Sequence, residues 1–154
     1  MIQPAGEGLA QIGCAGRLTG FSETQDGRYM ITLSGMARFR ITSEIEGFSP
    51  YRRAQVAWCY PGDLGAAEQD AGLERERFFN TVCRYLKAQG LGADWDAMKD
   101  AEDEVVVNSL CMLLPLDCAD KQALLEAATL AERRATLEAL LDFVLRGCAE
   151  GCKQ

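Results

Sequence analysis

The sequence has 154 residues, room for one ordinary domain or for a β lobe and a helical lobe that share an interface. Its 48% hydrophobic and 25% charged content exclude a disordered chain, and no apolar run approaches the length that spans a bilayer. The net charge of −7 is uneven: residues 1–61 carry six Arg against five acids, and residues 62–154 carry ten Lys or Arg against eighteen, an acidic half that disfavours a nucleic-acid backbone as partner.

Residues 1–8 read as loop, with Pro4, Gly6 and Gly8. Residues 9–21 are strand-like, with Ile12, Cys14 and Leu18 in one phase, and the glycines at 13, 16 and 20 mark bulges or close backbone approach. Asp26-Gly27 predicts a two-residue type I′ hairpin turn, since both central residues then need φ > 0 and these two tolerate it best. Residues 28–33 alternate, placing Tyr29, Ile31 and Leu33 on one face and Arg28 and Thr32 on the other. Ser34-Gly35 breaks the run; residues 38–42 resume it, with Arg38 and Arg40 on one face and Phe39 and Ile41 on the other. Ser49-Pro50 punctuates before a further strand over 51–59, in which Ala54, Val56 and Trp58 face one way and Arg53 and Gln55 the other. The expectation is a meander of about four strands.

At Pro61-Gly62-Asp63-Leu64-Gly65 strand residues give way to helix formers. A first helix is predicted from Glu68 or Leu73 to Gln89, with a stripe of Phe78, Val82 and Leu86 and with Gly90 at its end. Residues 94–98 suit a short helical turn. Asp100 and Asp103 are expected to cap a helix that carries Val106, Leu110 and Leu113 and that Pro115 ends. Asp117 is expected to cap a short helix over 119–127. Thr129-Leu130-Ala131-Glu132 is a capping box opening the last helix, whose stripe of Leu137, Leu140, Leu141, Val144, Leu145 and Cys148 is the clearest periodic signal in the chain.

Two separated motifs carry a resemblance to a known family. The first is Gly16-Arg17, a spacer, Asp26-Gly27-Arg28, a β run, Gly35, then Arg38-Phe39-Arg40-Ile41. The second is Leu113-Leu114-Pro115-Leu116-Asp117 with Ala119-Asp120-Lys121-Gln122 and Leu124-Leu125-Glu126, followed by a final helix. In this order they resemble the N-terminal, substrate-binding domain of bacterial-type Lon ATP-dependent proteases, and the resemblance covers nearly the whole chain. It implies an α+β fold: a small antiparallel, PUA-like β lobe over 1–61, a connector over 62–72 and a helical lobe over 73–154. The family's first strand and helix, which precede the segment matching Met1-Ile2-Gln3-Pro4, are missing. That implies a start at an internal methionine or a shortened member, and in both cases an exposed sheet edge that pairs with a second copy or another chain.

The chemistry available narrows the function. The sequence has no histidine, which excludes Ser-His-Asp and Cys-His arrangements within it, and none of Lys87, Lys99, Lys121 and Lys153 follows a phosphate-binding glycine loop. No enzyme activity and no cofactor are expected. The resemblance places ATPase and Ser/Lys protease modules after such a domain, whereas this sequence stops at Gln154, which implies a free-standing recognition domain. Seven cysteines without Cys-x-x-Cys or a secretory signal argue against a disulfide framework: Cys14, Cys83 and Cys111 read as small core hydrophobes, and Cys148 with Cys152 as one face of a last helical turn. The acids at 94, 96 and 102–104 read as caps and solvated surface rather than as a metal site. The resemblance implies a cytoplasmic, non-catalytic module of protein quality control that binds unfolded or damaged polypeptide, with a separate ATP-dependent protease as a further expected partner. Its candidate contacts are Tyr29, Met30, Met36, Arg38, Phe39, Arg40, Tyr51, Trp58 and Trp95, with Phe79 and Tyr85 beside them. Two alternatives stand: a nucleic-acid or small-molecule binder using the β lobe, and a cysteine-dependent metal or redox protein.

Overall fold

Alternation carries the first third of the chain into strands and helical periodicity the rest, so the molecule is α+β. The structure is a computed structural model and describes residues 1–6, 8–92, 98 and 100–151, the last four by their backbone alone. The chain divides into two compact units, Met1–Ala66 and Ala67–Gln154.

In the first unit a small hairpin of β1 (Pro4–Ala5) and β2 (Gly8–Leu9) precedes an antiparallel sheet of β3 (Ile12–Glu23), β4 (Tyr29–Ile45) and β5 (Arg53–Ala57), in the order β3-β4-β5. β4 runs straight through Ser34-Gly35, where the sequence predicts a break. The irregularity is absorbed instead by a bulge, since Ala15 pairs with Ala37 and Gly16 with Gly35, leaving Met36 unopposed. Two further shifts leave Thr19 and Thr42 unopposed. Each bulge flips the alternation. Across Met36, Arg38 and Arg40 therefore share a face with Tyr29, Ile31 and Leu33, although their sequence separations are odd.

The hairpin turn also differs from the type I′ expectation. Among the described residues none other than glycine has positive φ, so Asp26 stays on the ordinary side while Gly27 sits at +77°. Thr24 and Arg28 close a three-residue loop, with Thr24 N–H donating to the Arg28 carbonyl and Gly27 N–H to the Thr24 carbonyl. The reason lies in the Asp26 side chain: it accepts hydrogen bonds from the Thr24 hydroxyl, the Arg28 backbone N–H and the Arg28 guanidinium, which a two-residue turn would separate.

The second unit holds α1 (Arg75–Ala88), α2 (Asp103–Leu113), α3 (Cys118–Glu126) and α4 (Leu130–Gly151). Their stripes meet in one core of Phe78, Val82, Tyr85, Leu86, Val106, Val107, Leu110, Leu114, Leu124, Leu130, Leu137 and Leu141. α1 ends in a Schellman arrangement, with Leu91 N–H on the Leu86 carbonyl and Gly90 N–H on that of Lys87. The helix begins at Arg75, at the later end of its predicted start, because the preceding strap has other partners. Glu68 accepts the backbone N–H of Leu130, and Asp70 accepts from Arg134 Nε and from the backbone N–H of Gly72.

The capping box behaves as expected in part: Glu132 N–H donates to Thr129 Oγ1, while the Glu132 carboxylate reaches back to the N–H of Ala128. Asp103 is not a cap. The residue before α2 is Glu102, with no side-chain capping bond, and the Asp103 carboxylate pairs with Arg75 at 2.5 Å. Asp117 precedes α3 as predicted, but only its backbone carbonyl serves the helix, accepting from Lys121 N–H. The helical turn expected over 94–98 lies outside the described residues apart from Met98.

Candidate functional site

Many large apolar side chains of the β unit are exposed. Counting faces through the bulges, one face carries Leu18, Phe21, Tyr29 and Ile31 and the other Met30, Phe39, Ile41, Val56 and Trp58. Phe21, Tyr29, Met30 and Trp58 are 63%, 62%, 65% and 61% exposed. Phe21 and Tyr29 stack across strands with centroids 5.2 Å apart, and Phe21 is directly paired with Ile31 and Leu18 with Leu33. These cross-strand pairs make one continuous apolar pad on the hairpin half of the sheet. On the other face, Phe39 and Trp58 meet edge to face at 6.2 Å.

This half of the sheet is a two-stranded ribbon. β5 pairs with β4 only from Arg40 to Ile45, and among the described strands β3 is neighboured by β4. At the near end of β3, Met1 adds one further antiparallel pair: its ammonium donates to the Cys14 carbonyl at 2.7 Å, and Cys14 N–H returns a bond to the Met1 carbonyl at 3.0 Å. Gly13 makes room for this approach. A Cβ there would lie 2.7 Å from both the Met1 carbonyl oxygen and the Phe39 ring.

The predicted arginines behave differently from one another. Arg38 does not project into solvent. It is 6% exposed, its guanidinium lies 3.8 Å from the Tyr60 ring centroid, and its Nε and Nη2 grip the Asp63 carboxylate, which also accepts the Arg38 backbone N–H. Asp63 belongs to a 3-10 turn, Pro61–Leu64, and so clasps the edge of β4 beyond the point where β5 stops. Arg38 is thus a structural clasp, and Tyr60 and Asp63 are its partners, which periodicity alone does not reveal. Arg40 remains exposed and donates to Gln11 Oε1 at 3.0 Å, and Arg52 pairs with Glu44.

Of the remaining candidates, Met36 is exposed at the bulge and Tyr51 is 69% exposed in the β4–β5 connection. Tyr51 lines a shallow, open concavity of about 500 Å³ together with Glu44, Glu46, Pro50 and Arg52. Phe48, in the same connection, is fully exposed. Trp95 lies outside the described residues. Tyr85 is buried in the helical core, which removes it from the contact surface that the sequence reading expected, and Phe79 is half-buried against Phe78 with the Arg75 guanidinium over its ring. Leu18, Phe21, Ile31 and Phe48 belong to the exposed apolar set although the sequence reading passed over them. For Phe21 and Ile31 the available signal was their symmetric placement about the turn.

No group of three or more His, Cys, Asp or Glu side chains converges among the described residues, and no helix among them is long and apolar enough to cross a membrane. What the arrangement offers is contact: two apolar faces, unpaired strand edges and a few exposed guanidinium groups.

Comparison with known proteins points the same way. Residues 1–144 match the family described as the ATP-dependent protease La (LON) substrate-binding domain. In fold the chain is similar to the Lon N-terminal domain protein from Xanthomonas campestris, with a TM-score of 0.59 and 21% identity, covering 91% of this chain and 72% of that one. No curated protein matches the sequence.

Proposed function

Since the chain belongs to the ATP-dependent protease La (LON) substrate-binding domain family, we propose that it is a non-catalytic recognition module that binds unfolded or damaged polypeptide segments through the β unit. Family membership supports substrate binding. The observation that carries the finer reading is the exposure of Phe21, Tyr29, Ile31 and Met30 on a ribbon that pairs with no third strand among the described residues. Folded proteins bury their apolar side chains and pair their backbone groups, so a surface offering both engages the chains that have not yet done so. On this reading the protein works in cytoplasmic quality control, handing its clients to a separate ATP-dependent protease, and a second copy competes for the same sheet edge.

The test is a titration of the purified protein against one labelled model protein, presented folded and permanently unfolded, at low and high salt. Saturable binding to the unfolded form alone, little changed by salt, is expected. Equal binding to both forms would overturn the reading, and a steep loss with salt would favour a phosphate-bearing ligand instead.

A further inference from the structure

The connector between the two units is held at each end and bare in the middle. Its first part belongs to the β unit. Asp63 accepts the Arg38 backbone N–H at 2.7 Å and further bonds from the Arg38 guanidinium, and Gly65 N–H closes the 3-10 turn on the Gly62 carbonyl. Its last part belongs to the helical unit. Glu68 N–H donates to the Glu104 carboxylate of α2 at 2.8 Å, and the Glu68 carboxylate accepts the N–H of Leu130, the first residue of α4, at 2.7 Å. Asp70 is 8% exposed and pairs with Arg134 of α4; it takes the N–H of Gly72 on its carboxylate and that of Leu73 on its carbonyl. Gly72 suits this fold-back, since a Cβ there would lie 3.3 Å from the Asp70 carboxylate. Between the two parts, Ala66 and Ala67 make no hydrogen bond among the described residues. Gly65, Ala66 and Ala67 are all exposed, and the division between the compact units falls between Ala66 and Ala67.

We propose that the connector is a latched hinge, which turns at Gly65, Ala66 and Ala67 and is confined to that length by Glu68 and Asp70 acting as the latch. The inference goes beyond the polypeptide-binding reading and stands without it. Turning at 65–67 breaks no bond and exposes no apolar side chain, whereas turning elsewhere separates Asp63 from Arg38 or Asp70 from Arg134 and leaves a largely buried charge without its partner. The latch has a weak and a strong half. Exposed Glu68 can exchange the Leu130 N–H for water, while enclosed Asp70 cannot exchange Arg134 so cheaply. Opening therefore starts at Glu68, which extends the mobile stretch to Gln69, and is complete only when Asp70 lets go and the stretch reaches Glu74, just before α1.

The experiment is nitrogen-15 relaxation of the intact protein, read amide by amide. Order parameters below about 0.6 are expected at Ala66 and Ala67, against about 0.85 at Asp63, Ala71, Gly72 and Leu73. Glu68→Ala should lower the order of Gln69 and leave that of Ala71 to Leu73, and Asp70→Asn should lower all of these. Val82 and Leu137 report on the helical core in the same spectra, so unlatching is told apart from unfolding; if Asp70→Asn loses the core, Glu68→Ala decides. Elastase, which cuts after small residues, gives a second reading. It should cut the parent after Ala66 or Ala67 at least about tenfold faster than after Ala71, and Asp70→Asn should remove the difference. Order near 0.85 at every amide from Asp63 to Leu73 of the parent, with no preferred cut at Ala66 or Ala67, overturns the hinge. Low order from Gly65 through Leu73 in the parent overturns the latch. So does a folded Asp70→Asn protein whose Ala71 stays ordered and uncut, or a Glu68→Ala protein whose Gln69 is as ordered as the parent's.

Discussion

At the scale of single residues, the ion pairs Arg38–Asp63 and Asp70–Arg134 are largely buried among the described residues, and the second allows a test. The Asp70 side chain is almost wholly enclosed and the Arg134 guanidinium beside it, helped by the Gly72 N–H, holds its carboxyl below the ordinary value of 3.8 against the opposing effect of burial. A carboxyl lowered in the folded state contributes stability that is fully present above its ordinary value and is lost as pH falls through the lowered one. Asp70→Asn should therefore cost about 3 kcal/mol near neutral pH, the lower end for a broken buried pair because Glu138 still faces Arg134. The gap between variant and parent should narrow below about pH 4. Thermal unfolding followed by far-UV circular dichroism at both pH values checks this; a gap that does not change with pH would remove the ion pair as the cause. Burial pushes the Cys111 thiol up to about 11, in keeping with a packing role rather than redox chemistry.

At the scale of elements, local chemistry decides most ends and tertiary partners decide the remainder. The Schellman end of α1 and the capping box of α4 follow from residues within a few positions of each other, and both were legible in the sequence. Asp103 was misleading because Arg75, 28 positions away, reaches it. The β3–β4 turn allows a clean test. Gly27 is the left-handed residue that the three-residue loop requires, with open space where a Cβ would go. Gly27→Ala should cost about 1–2 kcal/mol through backbone strain alone. Gly62→Ala, also in open space but without positive φ, should be neutral or stabilising. Urea denaturation of both variants measures the difference; equal effects would show that the left-handed conformation is not what Gly27 supplies.

Across the whole molecule, the core is unequally distributed. The helical unit buries a dozen apolar side chains together, whereas the buried apolar residues of the β unit are Ala10, Ile12 and Ala37. A two-stranded ribbon with both faces wet is marginal by itself. The ladder amides of Gly20, Ser22, Met30 and Thr32 should therefore exchange at least about a thousandfold faster than those of Val82, Leu110 and Leu141 in the free protein. Native-state hydrogen exchange reads this directly. Uniform protection would mean that something covers the ribbon in solution.

The sequence by itself determined the division into strand and helix, the order of the elements and the helical core, because these rest on periodicity, turn residues and caps that act over a few positions, while two separated motifs carried the resemblance to the family. Only the tertiary structure decided which face each β residue occupies, since every bulge inverts the alternation and a bulge is set by pairing across strands. Arg38 shows the consequence. Its spacing marks a solvent-facing arginine, but Tyr60 and Asp63, brought to the edge of β4 by the 3-10 turn, make it a buried clasp. Phe21 shows the converse. It reads as an ordinary strand residue, yet it is 63% exposed and stacked on Tyr29 in the ribbon half of the sheet, where no third strand pairs among the described residues, and that pairing is a property of the tertiary fold that no local pattern encodes.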